Sequence, residues 1–93
     1  MATGEQRKKT VVKVLLFGRL GELDSRGSIS IELGDSIQTV ADIRKLLSEE
    51  NPILGKALAE PQNLIALNQN IVNADHNLSA GDELAFLPPV TGG

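Results

Sequence analysis

The sequence has no cysteine, tryptophan or tyrosine, and only one histidine and two phenylalanines in 93 residues. Without cysteine there is no disulfide, no thiolate nucleophile and no cysteine-based zinc site. Any sulfur this protein handles is not held on a side-chain thiol. With His76 alone, a multi-histidine metal site is excluded too, and no metal is expected. Phe17 and Phe86 are the only rings and the net charge is −3. The stacking platform and basic surface of a nucleic-acid partner are therefore missing. No run approaches the roughly 18 apolar residues of a membrane span, and residues 1–9 lack the apolar stretch of a signal peptide. The expectation is a cytosolic (cytoplasmic) protein with no membrane partner.

What is present suffices for one core. Hydrophobic residues make up 41% of a length that fits a single domain. Charge is unevenly spread. Residues 1–13 carry Arg7, Lys8, Lys9 and Lys13 against Glu5, whereas the remainder has 5 basic and 11 acidic residues. Residues 1–9 read as a disordered basic tail. The acidic body suits a protein partner with a basic surface, which speeds encounter.

Residues 10–87 read as strand, strand, helix, strand, strand, strand. Thr10 to Phe17 is rich in β-branched and apolar residues. Leu20 and Leu23 are spaced for one short helical turn. Ser28 to Leu33 alternates, with Ile29, Ile31 and Leu33 on one face. Thr39 is a good N-cap, with Asp42 three residues on. Val40, Ile43 and Leu47, with Leu46 beside them, form an apolar helical stripe. Pro52 ends that helix near Glu50-Asn51, and Ile53 to Ala59 reads as another short turn. Leu64 to Asn68 and Ile71-Val72 read as a hairpin through Asn68-Gln69-Asn70. Glu83 to Leu87 is the last strand, stopped by Pro88-Pro89. The fold class expected is α+β: a β-grasp, or ubiquitin-like roll. It has a mixed sheet of about five strands, with one main helix packed on one face.

Side chains offer little chemistry. His76 sits between Asp75 and Asn77 in a polar loop, with no G-x-S-x-G elbow anywhere. The aspartates never fall into calcium-loop spacing, and the glycines form neither G-x-G-x-x-G nor a P-loop. What remains is residues 88–93, read as an extended, flexible tail. Pro88 and Pro89 stiffen its exit. Val90, Thr91, Gly92 and Gly93 can thread as an extended strand into a narrow pocket of another protein. Glycine leaves its carbonyl sterically open and tolerates any backbone angle. A terminal carboxylate is ionised at neutral pH. In a partner's active site it can attack the α-phosphate of ATP and become an acyl-adenylate, which accepts a thiol, a persulfide or an amine.

A second feature is exposed apolar surface. If Leu84 and Phe86 face the core, Leu87 faces outward beside the tail. Lys13 marks a face of the first strand that also carries Val11, Leu15 and Phe17. With one helix covering one side, the other side of the sheet is apolar enough to mark a protein interface.

Four segments resemble the small, sulfur-carrying subunits of molybdopterin synthases. They are V-K-V-L-L-F-G-R-L at Val12, T-V-A-D-I-R at Thr39, A-L-N-Q at Ala66 and G-D-E-L-A-F-L-P-P-V-T-G-G at Gly81. The resemblance implies a β-grasp sulfur carrier that binds no cofactor and is not an enzyme on its own. An activating enzyme related to ubiquitin-activating enzymes adenylates the terminal glycine with ATP. A sulfur donor then converts the glycyl adenylate to a thiocarboxylate. The large synthase subunit takes up the tail, and the sulfur goes to cyclic pyranopterin monophosphate to build the molybdopterin dithiolene. The implied assembly is a two-plus-two heterotetramer. By position, Gly93 carries the sulfur, Gly92 gives it clearance, and Val90 and Thr91 line the insertion channel behind Pro88 and Pro89. Ile71 and Leu87 fall at apolar positions the family uses against its partners; the apolar face of the first strand adds Phe17 to the expected partner interface. One departure stands out. A family arginine that contacts partners falls at Gly21, so either Arg19 takes its place or the contact is absent. Other readings stay open: a ubiquitin-like modifier joined through Gly93 to lysines, a carrier for another pathway such as thiamine, or an interaction domain with an inert tail.

Overall fold

The computed structural model describes residues 10–89. The expectations for residues 1–9 and for Val90, Thr91, Gly92 and Gly93 lie outside them. Alternation along the strands sets the two sides of the sheet. In β1 (Val11–Leu16), Val12, Val14 and Leu16 are buried while Lys13 is exposed. In β2 (Ser28–Glu32), Ile29 and Ile31 are buried between exposed Ser28, Ser30 and Glu32. In β5 (Glu83–Leu87), Leu84 and Phe86 are buried and Ala85 and Leu87 lie on the other face. The remaining elements are α1 (Arg19–Glu22), α2 (Val40–Glu50), α3 (Pro52–Leu58), β3 (Leu64–Leu67) and β4 (Asn70–Ile71).

The sheet order is β2-β1-β5-β3-β4. β1 and β5 are parallel and adjoin near the middle of the sheet, and the other neighbours are antiparallel. Helix α2 buries Val40, Ile43 and Leu47 against the sheet, joined by Leu20, Leu54 and Leu58. The α+β, mixed five-strand architecture therefore matches the expectation from sequence.

Local chemistry fixes the helix bounds. The Thr39 hydroxyl accepts from the Asp42 amide at 3.2 Å, and the Asp42 carboxylate accepts from the Thr39 amide at 3.0 Å. This is a capping box with aspartate in the place of glutamate. Backbone donors from Gln38 and Thr39 hold the Asp42 carboxyl below its ordinary range. At the far end Asn51 serves two helices. Its amide closes α2 on the Leu47 carbonyl at 2.9 Å, and its side chain accepts from the Leu54 amide at 3.1 Å. Pro52 then occupies the first turn of α3, where its missing N–H costs nothing.

The structure corrects two local readings. The stretch read as a short turn from Ile53 is a seven-residue helix, because the capping asparagine and proline start it one residue earlier. The fourth strand is Asn70–Ile71, not Ile71-Val72. Its register is fixed by a two-residue turn in which Asn68 and Gln69 both have positive φ, 51° and 73°.

Gly55 lets α3 lie close on α2. A Cβ there would fall 2.5 Å from the Ser48 Cα, a backbone atom that cannot rotate away. Gly55→Ala should therefore destabilise the fold by about 1–3 kcal/mol. Urea unfolding checks this, through a lower midpoint at an unchanged slope.

Candidate functional site

The uncovered face of the sheet carries the candidate site. Register places Leu15 beside Ala85, Ala85 beside Ala66, and Ala66 beside Ile71, one row across four strands. Leu87 and Leu64 pair in the next row. Two alanines at the centre of the row, between larger side chains, leave a hollow. The hollow is a groove of about 350 Å³, lined by Leu15, Phe17, Leu64, Ile71 and Leu87 around Ala66 and Ala85. Gln69 and Glu83 supply its polar rim. Ile71 is 64% exposed, Leu64 49% and Phe17 45%. Large side chains left this open on adjoining strands form one patch rather than scattered surface residues.

Phe17, Ile71 and Leu87, each predicted from sequence, thus share one surface. The sequence reading missed Leu64 and Ala66 as its members, whereas the alternation of the last strand already sets Ala85 on the face of Leu87. Strand β3 reads L-I-A-L with no polar residue to mark a wet face, so only pairing reveals which side each residue takes.

The groove adjoins the tail. β5 leaves the sheet at Leu87, and Pro88 and Pro89, both half-buried, follow. Beside them β1 ends, and the Phe17 amide donates to the Phe86 carbonyl at 3.1 Å. Val90, Thr91, Gly92 and Gly93 continue beyond the described residues from this point.

The hairpin carrying Ile71 is clamped to β5. The Asn68 side-chain amide donates to Asp82 at 2.9 Å, and the Glu83 amide donates to the Asn68 side-chain oxygen at 2.9 Å. The groove wall is therefore held by polar bonds at its rim.

Two other surfaces differ. A larger cleft, about 740 Å³, lies between residues 21–26 and Glu50, Asn51 and Pro52. Three of its four charged side chains, Asp24, Arg26 and Glu50, are already paired with one another. Arg26 donates to Asp24 through Nε at 2.9 Å and Nη2 at 2.8 Å, and reaches Glu50 at 3.3 Å. These bonds hold the buried Asp24 carboxyl down to about 2, so the cluster ties a loop to a helix end. Arg19 is exposed and lines a shallow cleft with Ile53 and Lys56 of α3, away from the groove. A Cβ on Gly21 would lie 2.8 Å from the Leu16 carbonyl oxygen, so α1 closes against a side chain at that position. Among the described residues no cluster of His, Asp or Glu could hold a metal ion, and no helix is long and apolar enough to cross a membrane.

A helix-backed mixed sheet with parallel inner strands defines a ubiquitin-like β-grasp protein, here with an apolar outer face beside its C-terminal segment. The ThiS family matches residues 14–93, and the chain belongs to it. The molybdopterin synthase sulfur carrier subunit of Escherichia coli is 39% identical over 83 residues, covering 89% of this chain and 100% of that protein. Among solved structures, the crystal structure of SAMP1 from Haloferax volcanii is similar with a TM-score of 0.75 at 26% identity. That match covers 89% of this chain and 99% of SAMP1. One chain of a complex of subunits 1 and 2 of molybdopterin-converting factor from Helicobacter pylori matches with a TM-score of 0.62 at 27% identity, covering 89% of this chain and 99% of that chain.

Proposed function

We propose that this chain is the sulfur carrier subunit of a molybdopterin synthase, with the terminal carboxylate of Gly93 as its working group. One observation carries the reading: the apolar groove lies on the strand that leads directly into the Pro-Pro-Val-Thr-Gly-Gly segment. A partner that covers the groove receives the tail in the same encounter. The curated relatives and the two-subunit complex from Helicobacter pylori support it.

The chemistry follows from the carboxylate. In a cytosolic activating enzyme, a Gly93 oxygen attacks the α-phosphorus of ATP and pyrophosphate leaves. Sulfide-level sulfur from a donor then attacks the acyl carbon, the bond to AMP breaks and AMP leaves, and the residue becomes a thiocarboxylate. The groove next docks on a large catalytic subunit, two carriers serving one large-subunit dimer. The glycines let the sulfur reach cyclic pyranopterin monophosphate in a narrow channel. The carrier has no catalytic side chain of its own; it supplies the sulfur and the docking energy. Its lack of cysteine is no obstacle, because the sulfur rides on a backbone carbon.

The likeness to SAMP1, a small archaeal modifier protein, favours a second reading, conjugation through Gly93 to lysines. One experiment separates the two. The N-terminally tagged chain is recovered from cytosol, resolved on a denaturing gel, and its C-terminal peptide weighed. The expected result is one larger partner released on denaturation, with sulfur replacing oxygen at Gly93. A ladder that survives denaturation, with Gly93 linked to lysines and no thiocarboxylate, would overturn the carrier reading.

A further inference from the structure

The last residue before α1 is Gly18, with φ 56° and ψ −139°, a combination that side chains with a Cβ rarely adopt. It follows Phe17, whose amide bonds the Phe86 carbonyl at 3.1 Å, so it lies across from the first residues beyond β5. A Cβ on Gly18 would fall 2.9 Å from Cγ and 3.5 Å from Cδ of Pro88. The Pro88 ring thus occupies the space that any other residue at position 18 would fill. Pro88 is also the first residue of the segment leading to Gly93, and its ring fixes its own φ.

We propose that Gly18 is the positioning residue for the sulfur-bearing tail. Its bare backbone seats the Pro88 ring and sets the direction in which the chain leaves the sheet at Pro88 and Pro89. The inference deepens the carrier reading and rests on it. Phe17, one residue away, walls the groove, whereas Gly18 is not among the groove's lining residues, so the exit angle is set beside the docking face and not within it. A misplacement of about 1 Å at a reacting group can cost a hundredfold in rate.

The test is a cycle of four full-length chains: wild type, Gly18→Ala, Pro88→Ala and the double variant. Each carries a C-terminal thiocarboxylate made by sulfide cleavage of a thioester fusion. Affinity for the large subunit is measured by calorimetry, and sulfur transfer in single turnover at saturating large subunit. With Pro88 present, Gly18→Ala should slow transfer about tenfold or more, with affinity changed less than about threefold. In the Pro88→Ala background, the same substitution should cost less than about threefold, because the clashing ring atoms are gone. An equal cost in both backgrounds, no cost, or a cost confined to affinity would overturn the proposal. If Gly18→Ala does not fold, recovery of folding in the double variant supports the seat. Continued unfolding assigns the role to the backbone angle alone and overturns it. A wild-type chain that transfers no sulfur would instead sink the carrier reading.

Discussion

A chain lacking Gly92 and Gly93 is expected to make no molybdopterin with its large subunit while keeping its fold and its docking. The fold is expected to survive because, among the described residues, the buried core runs from Val12 to Phe86. Docking is expected to survive because the apolar groove is walled by Leu15, Phe17, Leu64, Ile71 and Leu87, none of which the truncation removes. The chemistry has no such redundancy. Removing two residues shortens the greatest reach of the chain by about 7 Å. It also places the carboxylate on Thr91, whose branched Cβ crowds the carbonyl. A group held in place by docking works at an effective concentration far above any solution value, and that advantage vanishes when it falls short. Product formation should drop at least about a thousandfold. The check is turnover of the truncated chain with large subunit and an activating system, beside its affinity for the large subunit. Retained turnover would mean that Gly93 does not carry the sulfur, whatever the groove does.

Much of this arrangement is legible along the chain because it rests on local rules. Strand β5 has the bounds read from its sequence, since Gly81-Asp82 and Pro88-Pro89 punctuate both ends. The Thr39–Asp42 cap and the end of α2 at Glu50 follow from side chains within one turn. The inward Leu84 and Phe86 follow from the period of two. What the sequence hides has another cause. Pro52 reads as the stop of one helix, but with Asn51 before it the same proline starts the next. The groove depends on β1 and β5 lying side by side although about 70 residues separate them. Local pattern cannot announce that Ala66 and Ala85 are adjacent, nor that they hollow out the face that Phe17, Leu64 and Ile71 wall. Gly18 is likewise silent in the sequence, because its positive φ and its Pro88 neighbour exist only in the folded chain.

Leu87→Asp carries the other large effect, on partner affinity. Leu87 pairs with Leu64 across β3 and β5 and lines the groove one residue before Pro88. In the free chain an aspartate there is solvated at the half-open face, so folding should change little. Closing a partner over it buries a carboxylate with no cation among the described groove residues to pair it. The large subunit should bind more weakly by about 3 kcal/mol, a Kd about a hundredfold higher. The matching control is Ile53→Asp, on α3 across the sheet, where the side chain is 70% exposed and away from the groove. It should leave the affinity within about twofold, as expected of a surface position outside the interface. Calorimetric titration of both variants against the large subunit decides the matter. Equal affinities would place the docking face elsewhere. Loss at Leu87 alone would mean that the face adjoining the tail brings the carrier to its acceptor, so that docking and delivery are one event.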